Sequence, residues 1–313
     1  MVDVVVYGKV IIDSLKISDT VIVRNIIGGG GPQAAFGARV WHPSVGFATR
    51  VGYDFDADLR HALEGLPVDQ QGVTTFADCV TLRGRPISYD ANEYAVPAEP
   101  DSEHAIYGPA GWKELLSQPI SLPDDYRHPR AIHLVTEYAH EEIVQDALAM
   151  RQEGVIFSLE PLIDHRGFTN QDEIVELLKH VDLVTPDWPS ASGIAKSDDP
   201  AKVLAHWSSL GTPVVAIRNG RHGSYVWNSW TDAAWHVPAL PVDVVDPTGG
   251  GNAYGGGLVA GWLESRDALK AAVSGTVSAS LMIETIGVPA WSDEIPAIAR
   301  QRREDAMARC TRM

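Results

Sequence analysis

Short β-branched runs separated by stretches of helical periodicity constrain this chain more than any other feature. Val4-Val5-Val6, Ala131-Ile132-His133-Leu134-Val135, Val155-Ile156-Phe157-Ser158-Leu159, Leu183-Val184 and Val214-Val215-Ala216-Ile217 are continuous rather than alternating. Continuity of that kind marks strands covered on both faces, as in a parallel sheet. Residues 141–152, 172–180 and 200–210 carry helical spacing between them. The alternation predicts a doubly wound α/β sheet with helices on both sides, and right-handed crossovers then gather the strand ends, and any ligand, at one edge. Residues 16–27 and 81–94 break the rhythm: apolar and polar residues alternate there, so these read as strands with one solvated face.

At 313 residues the chain has room for one large domain or two small ones. No apolar run is long enough to cross a bilayer. Strand-like residues from Val2 onward leave no space for a secretory signal. Cys79 and Cys310 are far apart and form no metal spacing, which fits a reduced compartment, most simply the cytoplasm. A formal charge of −16 argues against general nucleic-acid binding. The arginine-rich stretch 300–312 is spaced as a final surface helix.

Two glycine clusters stand out against this background. Asp246-Pro247-Thr248-Gly249-Gly250-Gly251-Asn252 follows the extended segment Val242-Asp243-Val244-Val245 and leads into the helix-like run 258–263. Strand, glycine turn and helix start together aim unpaired amides at one spot, where the helix dipole also favours an anion. Gly28-Gly29-Gly30-Gly31-Pro32-Gln33 precedes an alanine-rich helix, and small residues there allow close backbone approach. No Gly-x-Gly-x-x-Gly, Walker loop, His-Glu-x-x-His or Gly-x-Ser-x-Gly competes with these clusters.

The run at 246–252 resembles the second signature of the PfkB/ribokinase family of small-molecule kinases, usually Asp-Thr-x-Gly-Ala-Gly-Asp, with Asn252 in place of the final Asp. The cluster at 28–33 resembles the first signature, Gly-Gly-x-x-x-Asn, with Gln33 where Asn is usual. Val51-Gly52-Tyr53-Asp54 is similar to the family's Val-Gly-x-Asp turn. The resemblance implies a ribokinase-like three-layer α/β/α sandwich with a mostly parallel sheet, one domain over 1–313. A small β-sheet lid would be inserted at about 15–27 and 81–107, able to lend an edge strand to a homodimer.

It also implies roles. Gly249, Gly250 and Gly251 would form the anion hole for the transferred phosphoryl group, with Asn252 at the position of the catalytic base. Asp13, Gly29, Gly30, Gln33 and Glu137 would face a hydroxylated acceptor; a carboxylate such as Asp13 can accept from two hydroxyls at once. Asp187, Arg218, Gly220, Gly223 and Thr248 would serve the nucleotide, ATP, with Asp187 near Mg2+ and Asp246 near a monovalent cation such as K+. Residue by residue, other roles stay open: Asp13 as a turn residue, Asp187 as a helix cap, Glu137 as a first-turn acid, and Gly220 and Gly223 as a hairpin turn. Asn252 can orient a hydroxyl but cannot take its proton, an assistance worth roughly 10² to 10⁴ in rate. Three functions are therefore expected in order: an ATP-dependent phosphotransferase on a sugar-like or nucleoside-like hydroxyl, a pseudokinase that binds ligands without transfer, and another phosphate-activated reaction on the same scaffold.

Overall fold

The apolar runs lie side by side in one ten-stranded sheet. The computed structural model describes residues 1–16, 21–84, 86–89, 95–97, 112–163 and 167–313. From one edge the strands are Thr311–Arg312, Ala233–Val237, Ser224–Asn228, Val214–Arg218, Leu183–Val184, Ile156–Pro161, Ala131–Thr136, Val4–Tyr7, Val45–Gly52 and Asp69–Phe76. Pairing is parallel from Val214–Arg218 to Asp69–Phe76, and antiparallel across the first three strands.

Alternate side chains of each strand enter different cores, which is why both parities are apolar. Val4, Val6, Ala131, Val135, Ile156 and Ala216 pack under the helices Gly31–Arg39, Gly250–Ser265 and Ala268–Met282. Val5, Tyr7, Ile132, Leu134, Phe157 and Ile217 pack on the other face, under Glu142–Gln152, Gln171–Leu178 and Pro200–Ser208. The result is a helix–sheet–helix sandwich.

A second, five-stranded sheet stands beside the first. Ile11–Lys16 pairs with Ile22–Gly28 on one side, and with Leu82–Arg83 and Ile87–Tyr89 on the other; Ala95–Pro97 follows Ile87–Tyr89. Ile22–Gly28 is more solvated than the single wet face expected of it: no residue from Ile22 to Ile26 is buried, and it turns inward only at Ile27 and Gly28. Asp13, open from sequence to a turn role, lies inside the strand Ile11–Lys16 of this sheet. The expected lid residues 17–20, 85, 90–94 and 98–107 lie outside the described residues; further on stands the short helix Trp112–Leu116.

Residues 242–245, read from sequence as a strand before the glycine turn, join no sheet. Val244 and Val245 are exposed, and the Val245 and Asp246 amides donate to the Ile283 carbonyl at the end of a helix, at 2.8 and 3.1 Å. β-branching alone cannot make a strand when no neighbouring edge is within reach. The arginine-rich end forms the helix Ile295–Met307, where Arg302 pairs with Glu284 and Arg303 with Glu264.

Candidate active site

The glycine turn is wound by Asp246, which is 2 % exposed. Its Oδ1 accepts from the Thr248 amide at 2.9 Å and the Thr248 hydroxyl at 2.5 Å, and its Oδ2 accepts from Gly287 N at 3.4 Å. Gly249 then takes φ 76°, a conformation that costs an L side chain about 1–2 kcal/mol, and the helix Gly250–Ser265 begins. The Gly250 amide donates to Pro247 O at 3.2 Å, and the first-turn amides that follow it have no partner within the helix. Gly250 and Gly251 face a cavity of about 480 Å³.

The same cavity is lined by Asp187, Arg218, Gly220, Gly223 and Arg309. Asp187 and Arg218 lie at or just past the carboxyl ends of Leu183–Val184 and Val214–Arg218, as a doubly wound sheet requires, whereas Gly220 and Gly223 come from the turn that follows and Arg309 from beyond the helix Ile295–Met307. The turn after Val214–Arg218 closes through Asn219 N to Gly223 O at 2.7 Å. Gly223 has φ 85°, and a methyl group there would strike the Val237 carbonyl, so this position tolerates only glycine. Asp187 caps the helix Trp188–Ala195, its Oδ1 accepting from Ser190 N at 3.1 Å, and still lines the cavity. The cap reading and the cavity reading are therefore both satisfied by one carboxylate.

The first glycine cluster meets the second directly. Gly29 and Gly30 take φ 95° and 88°, and a methyl group on Gly30 would sit 2.8 Å from Asn252 Nδ2. Gln33 is 1 % exposed: its Oε1 accepts from Gly30 N at 3.1 Å, its Nε2 donates to Ile27 O at 3.3 Å, and its stem packs against Gly249. The side chain thus holds one glycine turn against the other, with its polar atoms engaged by the backbone. Glu137, half-buried, is ion-paired with Lys9. Asp13 is enclosed by Gly28 and Gly84. Burial, with the Asp246 charge second, pushes its carboxyl up to about 7.

Three residues that sequence reasoning passed over complete the site. Tyr89 bonds the Thr248 hydroxyl. Because the Thr248 proton goes to Asp246, the tyrosine is the donor; burial raises its phenol, so it stays protonated. The second sheet therefore closes on the glycine turn. Glu160, 0 % exposed, accepts from Asn252 Nδ2 at 2.7 Å and from Arg218 Nη1 at 2.8 Å. His133 Nε2 lies 3.6 Å from its other oxygen, and His133 Nδ1 bonds Ser158 Oγ at 2.9 Å. The available signal was a carboxylate and an imidazole inside strands that are apolar on both faces, where an unpaired charge is costly.

Chemically, the cavity offers the start of a glycine helix, three arginines and an aspartate to one ligand. Among the described residues no cluster of three His, Cys, Asp or Glu forms a metal cage. No helix is long and apolar enough to cross a membrane.

The profile of the pfkB family carbohydrate kinases matches residues 122–294, more than half the chain. A cytidine kinase of Thermococcus kodakarensis is 26 % identical over 269 residues, covering 85 % of this chain and 90 % of that protein. A 5-dehydro-2-deoxygluconokinase of Clostridium perfringens is 27 % identical over 319 residues, covering 95 % and 90 %. Among solved structures, a fructokinase from Vibrio cholerae with fructose, ADP and calcium bound superposes with a TM-score of 0.71 at 18 % identity, covering 92 % of this chain and 94 % of that one.

Proposed function

The chain belongs to the pfkB family of carbohydrate kinases, and on that premise we propose that it transfers the terminal phosphoryl group of ATP to a hydroxyl of a small sugar-like or nucleoside-like acceptor. One observation carries the reading: a helix N-terminus of glycines and an arginine face the same cavity as Asp187. Phosphoryl transfer needs positioning and charge stabilisation more than covalent help, and backbone amides with a guanidinium supply both. Gly250 and Gly251 would receive the transferring group, with Arg218 beside Gly251.

Gly220 and Gly223 shape the wall on which the nucleotide phosphates would lie, and Thr248 fixes the turn. Asp187 fits a hydrated Mg2+, since one oxygen caps a helix and the other remains for a metal-bound water. When bound, that ion neutralises phosphate charge. Asp246 has no ion-pair partner among the described residues, a buried negative charge that K+ would relieve. On the acceptor side, Asp13, Gly29, Gly30 and Glu137 would face the hydroxylated acceptor; Gly30 already lies against Asn252, and Gln33 holds the turn. The second sheet would act as a lid, and its exposed edge strand Ile22–Gly28 would pair with a second copy.

Asn252 also supports a binding-only reading, a pseudokinase, because no carboxylate stands at the helix start. Both are tested by following ADP release from ATP and Mg2+ with a panel of nucleosides and sugars. Acceptor-dependent ADP release is the expected result. Nucleotide binding without transfer to any acceptor selects the pseudokinase, and absence of nucleotide binding defeats both.

A further inference from the structure

Glu160 has no role in the scheme above, yet it touches both side chains that flank the glycine turn. It sits near the carboxyl end of Ile156–Pro161, fully buried, with its Oε1 2.7 Å from Asn252 Nδ2 and 2.8 Å from Arg218 Nη1. Its Oε2 is enclosed without a hydrogen bond among the described residues, next to His133 and to Gly255, whose missing side chain makes the room.

An ionised carboxylate only accepts hydrogen bonds. Facing Asn252 at this distance it selects the amide nitrogen, because a carbonyl oxygen turned the same way would be repelled. The amide orientation is thus dictated by chemistry, and the Asn252 carbonyl oxygen is turned away from Glu160. The carboxylate also polarises the amide it holds, strengthening that carbonyl as an acceptor.

We infer that Glu160 is a positioning residue that aims the Asn252 carbonyl at the acceptor hydroxyl, so that the Glu160–Asn252 couple stands in for the carboxylate usual at the helix start. The inference rests on the phosphotransfer reading. In the step it serves, the acceptor oxygen bonds to the terminal phosphorus as the bond to ADP breaks. The hydroxyl proton leaves with an oxygen of the transferred phosphoryl group, and Asn252 keeps its own protons. Glu160 also pairs with Arg218, so one buried charge orders both flanks of the anion hole.

A consequence runs against intuition. Restoring the usual residue with Asn252→Asp places two carboxylates in hydrogen-bond contact, and they cannot both be ionised. The site is built for a single carboxylate in this pair, wherever it stands. The test is a cycle of four chains: wild type, Asn252→Asp, Glu160→Gln and the double variant, each assayed for kcat, KM for ATP and thermal melting between about pH 5 and pH 8.

Each single variant is expected to lower kcat by roughly tenfold or more with KM for ATP little changed, and the double variant to recover to within a few-fold of wild type, as for residues in direct contact. In Asn252→Asp one carboxyl is held protonated, its pKa raised in the folded state, so stability relative to wild type is lost as pH rises. The double variant does not show that loss. The other ionisable groups facing the pair, His133 from the adjacent strand and Arg218 from the strand beyond Leu183–Val184, are common to all four chains and cancel in the comparison. Single effects that simply multiply in the double variant, or a gain of kcat in Asn252→Asp alone, overturn the inference. A wild-type chain that transfers to no acceptor overturns the phosphotransfer reading instead; the melts then still test the pairing, and a pH-independent difference between Asn252→Asp and wild type defeats it.

Discussion

A single buried carboxyl, Asp13, ties the acceptor side of the site to pH. Its pKa is pushed up from the ordinary carboxylate range to about 7, first by burial and then by the Asp246 charge. A carboxyl raised in the folded state leaves stability intact below its unfolded pKa and removes it as pH climbs to the folded value. The window is therefore from about pH 4 to about pH 7. Asp13→Asn removes the penalty: near pH 8 the variant should melt higher than wild type, by at most about 4 kcal/mol, with no difference near pH 4. The same variant should raise the acceptor KM while leaving the KM for ATP unchanged. Arg218→Met probes the nucleotide side. It strands Glu160 in the interior, so a loss of about 3 kcal/mol in stability is expected from urea melts, together with weaker ATP binding in calorimetry. At this scale Asn252 was legible because it departs from a motif, and Asp13 because it ends an apolar run. For Glu160 the one signal was a carboxylate in an otherwise apolar strand; its partners were not legible, since only the parallel pairing of Ile156–Pro161 with Ala131–Thr136 brings it beside His133 and under Asn252.

Among the elements, the glycine-rich helix does two jobs that the sequence merges into one. Gly249 to Gly251 form the turn, with Gly250 and Gly251 facing the cavity, whereas Gly256 and Gly257 let helices approach closely. A methyl group on Gly256 would strike the Ala34 carbonyl, and one on Gly257 would press on Ser278. Gly256→Ala should therefore destabilise the fold by about 1–3 kcal/mol through overpacking, with ATP affinity of the folded protein retained. Differential scanning calorimetry alongside ATP titration separates the two effects. A run of glycines reveals close approach but not what approaches, so the ligand-facing and helix-facing members could not be told apart beforehand. Residues 242–245 failed as a strand for a related reason. Their propensity was right, but their backbone partner turned out to be a helix end at Ile283 rather than a strand.

For the molecule as a whole, the sandwich was legible because strands buried on both faces must read as continuous apolar runs. Strand order and the two-residue edge strand Thr311–Arg312 were not, since both are set by long-range pairing that leaves little local signal. The second sheet was legible only as strands with one wet face; its reach over the glycine turn through Tyr89 and Thr248 became visible in three dimensions. Tyr89→Phe removes that donor while Asp246 and Thr248 keep their own bonds. A few-fold change in acceptor KM is expected, the size of one ordinary hydrogen bond, with the KM for ATP unaltered. The most direct measurement is a crystal structure of the chain with Mg2+ and a non-hydrolysable ATP analogue. The terminal phosphate should lie against the amides of Gly250 and Gly251, with the Arg218 guanidinium beside it. Phosphates bound elsewhere, with those amides left facing solvent, would contradict the whole assignment.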